Sequence, residues 1–202
     1  MLWDDALQAD IAAQHRAGLL RRLLPLGSRP GPRVTLDGAD VLMFGSNNYL
    51  GLAADPRARD AAAEATSEFG VGSSGSRLLS GNHVLAEALE AEIAAFKRTP
   101  SAIVFASGYA ANVGAIPALV GRDDLILSDE LNHASIIDAC RLSRAETRVY
   151  PHRDAGAAAA ILRSERQPFR RALIVTDGVF SVDGDVAPLP ELCDIAEQYD
   201  AG

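Results

Sequence analysis

Three short stretches of this chain carry polar groups of the kind that hold an anion or move a proton. Ser107-Gly108-Tyr109 follows the apolar run AIVFA at 102–106 and opens an alanine-rich segment. A strand, a small-residue turn and a helix start leave free backbone amides at the positive end of the helix dipole, an arrangement that suits a phosphate. Gly108 lets the backbone come close to such a ligand, and the Ser107 hydroxyl can add a contact. The same Ser-Gly pair is also ordinary helix capping. His133 follows DLILS in the run Asp129-Glu130-Leu131-Asn132-His133-Ala134-Ser135, at a second expected helix start. A third stretch, 176–185, follows ALIVT; it offers the Ser181 hydroxyl and a turn at Asp183-Gly184. Taken singly, each has a structural explanation: a cap, a core histidine, a turn. Open α/β sheets, however, bind ligands beyond the carboxyl ends of their strands. Gly108, His133 and Ser181 are therefore expected to meet at one sheet edge.

A fourth stretch, GVGSSGSRLLSG at 70–81, contains Gly70, Gly72 and Gly75 at G-x-G-x-x-G spacing. That spacing marks a dinucleotide site only between a strand and a helix, where the glycines allow a tight turn and close approach to a pyrophosphate. Here DPRARDAAAEATSEF precedes it, with an Asp-Pro start and an alanine-rich body typical of a helix. A further loop follows. The glycines alone support a dinucleotide-dependent oxidoreductase, and their context opposes it.

The elements that must position these residues are legible from periodicity. Residues 4–22 read as a helix with apolar Ala6, Leu7, Ile11, Leu19 and Leu20, broken by Pro25, Gly27, Pro30, Gly31 and Pro32. RVTLDGADVLMF reads as a hairpin turning at Asp37-Gly38. Asp55-Pro56 opens a helix to Phe69. Asn82 is expected to cap a helix from His83 to Lys97, with Leu85, Leu89, Ile93 and Phe96 on one face. From residue 101 strands and helices alternate: AIVFA, helix 108–119, DLILS, helix 134–142, TRVYP, helix 154–163, ALIVT, helix 190–199. This alternation implies an α/β layer whose strands are buried on both faces. Residues 1–50 form an N-terminal helix and hairpin segment, and 51–202 belong to the α/β domain.

The chain has 202 residues, 48% of them hydrophobic and 23% charged, enough for one core or part of a larger one. The net charge of −8, without a basic cluster, argues against a nucleic-acid surface. No apolar run is long enough to span a bilayer, and the start has no secretion signal, so no membrane partner and a cytoplasmic location are expected. Cys140 and Cys193 fit no metal-ligand or disulfide pattern, and no metal is expected. Lys97 is the single lysine.

SNNYLGL at 46–52, GSSGSRLLSG at 72–81, SGYAAN at 107–112, LNHASIIDA at 131–139 and DGVFSVDGD at 177–185 occur in an order that resembles the α-oxoamine synthases. These are pyridoxal-phosphate enzymes of fold type I, the three-layer aspartate-aminotransferase fold, and the resemblance covers essentially the whole chain. It is strongest for the branch that makes 8-amino-7-oxononanoate in biotin synthesis. It implies pyridoxal 5'-phosphate as cofactor, with Ser107, Gly108 and Tyr109 at its phosphate end. By the same resemblance His133 stacks on the pyridine ring, faces the substrate and acts in catalysis, while Ser181 bonds the cofactor near its phenolic oxygen. Asn47 lies near the substrate carboxylate, and Arg21 matches an arginine that contacts the acyl substrate. Asp177 stands where relatives often carry glutamate. The Gly/Ser-rich loop lies near the active site and dimer interface.

The implied reaction joins L-alanine to a pimeloyl thioester, on coenzyme A or acyl carrier protein, with loss of the amino-acid carboxylate, in a homodimer. Glycine with another acyl-CoA, as in 2-amino-3-ketobutyrate CoA ligase, is the alternative. The resemblance also requires a Schiff-base lysine and an acid beside the pyridine nitrogen, both placed beyond residue 202. Lys97 ends an amphipathic helix and is no substitute. An incomplete large domain, inactive alone, is therefore expected. A non-catalytic, lysine-less partner subunit is the competing reading.

Overall fold

The structure, a computed structural model, describes residues 2–202. The chain divides into two compact units, one ending at Ser76 and one beginning at Arg77. The first contains α1 (Leu2–Arg16), a hairpin of β1 (Arg33–Leu36) and β2 (Ala39–Leu42), and α2 (Pro56–Phe69). α1 stops at Arg16 instead of reaching residue 22. Gly18 turns left-handed at φ 68; its N–H bonds the His15 carbonyl, and Leu19 N–H reaches back to Gln14. This Schellman cap ends a helix regardless of the apolar residues beyond it. Arg21 consequently lies outside the helix, in an exposed irregular segment. The hairpin turns through Asp37 and Gly38, both at positive φ, as a two-residue turn matched to strand twist demands. Asp55 caps α2 by accepting Arg57 N–H at 2.8 Å. A helix, not a strand, therefore precedes Gly70, and the dinucleotide reading of 70–75 fails on its context.

The second unit contains α3 (Val84–Lys97), α4 (Gly108–Leu119), β3 (Leu125–Asp129), α5 (Ala134–Ser143), β4 (Glu146–Tyr150), α6 (Ala155–Glu165), β5 (Ala172–Val175) and α7 (Leu189–Gln198). The strands form a parallel sheet in the order β4-β3-β5. Period-two alternation divides them between two cores. Leu125 and Leu127 of β3 pack with Ala158 and Leu162 of α6 and Leu192 of α7. Ile126 faces the other way, against Ile116 of α4 and Ile136, Ala139 and Cys140 of α5. The result is helix, sheet, helix: three layers, with β3 buried on both faces.

Two local expectations differ from the structure. α3 is capped by His83, whose Nδ1 accepts Leu85 N–H at 3.2 Å, while Asn82 accepts from Arg77 and donates to Glu87. AIVFA is not a strand, because no ladder pairs with it among the described residues. The backbone of Val104 is met by side chains instead: Glu90 accepts its N–H at 2.7 Å and Arg77 donates to its carbonyl at 3.4 Å. No helix among the described residues is long and apolar enough to cross a membrane.

At the amino end of the sheet Asp124, wholly buried, accepts two bonds from Arg170 at 2.9 and 2.7 Å and two from the backbone N–H groups of Gly121 and Arg171. The guanidinium is the main reason its carboxyl is held at about 2 instead of 3.8. A depressed folded value stabilises above the unfolded one and fades below it. This tie is therefore complete above about pH 4 and lost as the pH falls toward 2. Arg170→Ala is expected to lower stability near neutral pH and to flatten that acid-side fall. Urea midpoints measured across pH check both; a variant with the parent's midpoints would remove this pair from the stabilising contacts.

Candidate active site

The helices that follow neighbouring strands go to opposite faces. α5, after β3, packs on one face, whereas α7, after β5, packs on the other. The connections diverge at the carboxyl ends of β3 and β5, and this divergence opens a crevice where ligands bind. His133 and Asp177 occupy it.

Asn132, buried at 5% exposure, closes the base of the crevice. Its Nδ2 donates to the Val175 carbonyl at 2.8 Å and to Ser128 Oγ at 3.0 Å, and its Oδ1 accepts Asp177 N–H at 2.8 Å. Asp177 returns the connection, its carboxylate accepting His133 N–H at 2.7 Å. The aspartate stem therefore suffices to reach the loop that carries His133.

The exposed His133 ring caps α5, with Nδ1 accepting Ser135 N–H at 3.2 Å. The Ser135 hydroxyl lies 2.7 Å from Nδ1 and itself accepts from Asn112 Nδ2 at 2.8 Å. Because Nδ1 accepts the Ser135 N–H, it presents its lone pair to the helix start. A neutral ring then carries its proton on Nε2. Capping and tautomer control are thus one arrangement. Ser135 supplies it from the motif LNHASIIDA and Asn112 of SGYAAN bonds Ser135, although their types alone read as helix filler.

The same contacts seat the start of α4 beside α5. Tyr109 OH donates to Asp138 at 3.1 Å. Ser107 caps α4 by accepting Ala110 N–H at 3.1 Å, which leaves its own proton free to donate. The N–H groups of Gly108 and Tyr109 have no partner among the described residues, and a Cβ on Gly108 would meet nothing within 4 Å. Open space therefore lies over a helix start with unused donors. Ser181 lies on a hairpin beyond Asp177, turned by Gly184 at φ 76 and paired at Val179 and Val186. Its side chain is exposed. Arg21 and Asn47 belong to the first unit, both exposed; Asn47 Oδ1 accepts from Tyr49 OH at 3.5 Å.

Residues 39–201 match the family model described as aminotransferase class I and II. The chain belongs to the aminotransferase class I and II family. Among curated relatives of this aminotransferase-family chain is 8-amino-7-oxononanoate synthase from Exiguobacterium sibiricum, 48% identical over 195 residues, which are 96% of this chain and 50% of the relative. Among solved structures, serine palmitoyltransferase from S. paucimobilis with bound PLP-myriocin superposes with a TM-score of 0.87 at 32% identity. That match covers 98% of this chain and 50% of the other. The crystal structure of 8-amino-7-oxononanoate synthase from Francisella tularensis has a TM-score of 0.60 at 30% identity, over 75% of this chain and 41% of the other. The chain spans about half the length of the curated relatives it matches. Its three-layer α/β architecture is that of the aminotransferase-like fold.

A cluster absent from the sequence reading lies at the same sheet end. Asp129, His152, Arg153 and Asp185 bond to one another at the carboxyl ends of β3 and β4 and on the Ser181 hairpin. The residues are scattered in sequence, and only the strand order brings them together.

Proposed function

We propose that the protein carrying this chain is a pyridoxal-phosphate-dependent C-acyltransferase that condenses L-alanine with a pimeloyl thioester, releasing carbon dioxide and forming 8-amino-7-oxononanoate. The observation that carries this reading is the open α4 start, with two unused amide donors, tied through Tyr109 and Asn112 to the helix that His133 caps. The names of the relatives support the product.

The residues present fit the cofactor. Gly108 and Tyr109 N–H groups and the Ser107 hydroxyl form a donor set at a helix N-terminus, suited to a phosphate dianion. When bound, the pyridine ring supplies an electron sink for negative charge at the substrate α-carbon. Ser181 offers a hydroxyl to the cofactor from its hairpin. His133 carries its proton at Nε2 and gives or shares it as the acyl carbonyl gains charge. The Ser135 N–H keeps that proton on Nε2, and Asp177 keeps the His133 backbone in place. Arg21 and Asn47 serve the acyl substrate and the amino-acid carboxylate. The reading includes a cytoplasmic homodimer.

The test incubates the intact protein with pyridoxal phosphate and a matrix of alanine, glycine or serine against pimeloyl-, acetyl- and palmitoyl-CoA, with products identified by mass. The expected product is 8-amino-7-oxononanoate, at a kcat/KM about 10²-fold or more above that of any other pair. Preference for glycine or serine would overturn the substrate assignment; no ketone from any pair would overturn the activity.

A further inference from the structure

His152, just past β4, has a carboxylate at each ring nitrogen. Nδ1 lies 2.9 Å from Asp129 Oδ1, and Nε2 lies 3.0 Å from Asp185 Oδ2. The ring can donate to both carboxylates only with a proton on each nitrogen, the imidazolium form. Asp129 ends β3 at 2% exposure and is further held by the N–H groups of Leu131 and Arg153 at 2.9 and 2.8 Å. Asp185 belongs to the hairpin after β5. Its Oδ1 is buried without a partner, so its anchoring rests on Oδ2, which takes His152 and, at 3.0 Å, Arg153. The Phe180 ring meets His152 edge-on, with centroids 4.4 Å apart and planes at 87°. Phe180 N–H bonds the Asp185 carbonyl at 2.9 Å, so the imidazolium grips both sides of the hairpin, immediately beside Ser181.

We propose that His152 is a positioning residue: bridging Asp129 and Asp185, it locks the 179–186 hairpin to the sheet end and thereby fixes where Ser181 presents its hydroxyl. The consequence for Ser181 rests on the reading of that residue as a cofactor contact; the lock itself does not.

The charged and titratable groups around the ring are Asp129 on β3, Asp185 on the hairpin and Arg153 next in the chain, with Tyr150 at the end of β4 beside Asp129. Burial, and then the Asp129 charge, push the Tyr150 phenol up to about 12, so it stays neutral at working pH. The bond to Asp129, followed by that to Asp185, outweighs burial and raises the His152 value above 6.5. A raised folded value means that the lock is complete below about 6.5 and is lost as the pH rises through the raised value. A neutral ring has one N–H for two carboxylates. Asp129 is sealed from water, whereas the Asp185 side chain is 27% exposed and can be resolvated. The Asp185 bond is therefore the one that breaks.

Amide exchange in the intact protein without cofactor, followed by mass spectrometry from about pH 6 to about pH 9 and corrected for intrinsic rates, reads the lock directly. Protection of the 179–186 peptide is expected to fall about tenfold across that range, while β3 and β5 peptides keep theirs. His152→Gln, which carries no charge and has both its N–H donors on one nitrogen, should show the low value at every pH, and Asp185→Asn should do the same from the hairpin side. Cofactor titration is the second readout: His152→Gln and Ser181→Ala should each weaken pyridoxal-phosphate binding about tenfold, and His152→Gln should lose the parent's alkaline step in affinity. Unchanged hairpin protection in both His152→Gln and Asp185→Asn overturns the proposal. Loosened hairpins with weaker binding in Ser181→Ala but not in His152→Gln also overturn it as positioning. Loosened hairpins with parental binding in both variants leave the lock standing and overturn only the Ser181 contact.

Discussion

Replacing His133 by asparagine is expected to lower turnover of the proposed acyl transfer by about 10²-fold or more while leaving the melting temperature close to the parent's. The choice of asparagine follows from the double duty of this side chain. Its Nδ1 caps α5 on Ser135 N–H, which leaves the proton of a neutral ring on Nε2. An asparagine oxygen can cap equally well but places no proton at the Nε2 position. His133→Ala removes both functions and should cost about 1 kcal/mol of stability in addition to the turnover. The measurements are kcat and thermal unfolding on both variants. Parental turnover in the asparagine variant, with a defect only in the alanine one, would reduce His133 to a cap.

Asn132 is expected to give the largest stability effect of any single polar residue at the site. Its amide uses both ends, joining Ser128 of β3, Val175 of β5 and the Asp177 backbone in a buried position. Asn132→Ala strands the Val175 carbonyl and the Asp177 N–H, at roughly 1–3 kcal/mol each. Asn132→Asp is worse, since an oxygen then faces the Val175 carbonyl and a charge is buried without a cation. Loss of about 3 kcal/mol or more should appear as a fall in melting temperature of roughly 6–12 °C, with turnover lost as well because Asp177 no longer holds the His133 backbone. A drop of less than about 1 kcal/mol would show that water replaces the amide and that the crevice is looser than these distances imply.

These two residues also show how far a sequence can be read. His133 stood out because a histidine after an apolar strand and before a helix is legible locally. Asn132, beside it, looked like any loop amide. Its partners at Val175 and Asp177 lie 43 and 45 positions away, and nothing in the intervening residues says that β5 pairs with β3. The cap of α3 was displaced by one residue because Asn82 and His83 can both accept from a helix start, and Arg77 engages Asn82. The overlong α1 has the opposite cause. Apolar periodicity continued past Gly18, but a left-handed glycine ends the backbone pattern whatever follows.

What the sequence by itself determined is local. The alternation of strands and helices from residue 101, the hairpin at Asp37-Gly38 and the helix starts at Pro56, Gly108 and Ala134 follow from side-chain period, φ preferences and caps, which act over a few residues. The motif order carried the family resemblance. Only the tertiary structure decided that AIVFA goes without a ladder among the described residues, its Val104 held by Arg77 and Glu90. Only it decided that β3 lies between β4 and β5, and that Asp129, His152 and Asp185 join in one charged bridge. Strand order is set by which buried faces complement one another across the whole unit. That is a sum over distant contacts, and no short window of residues contains it.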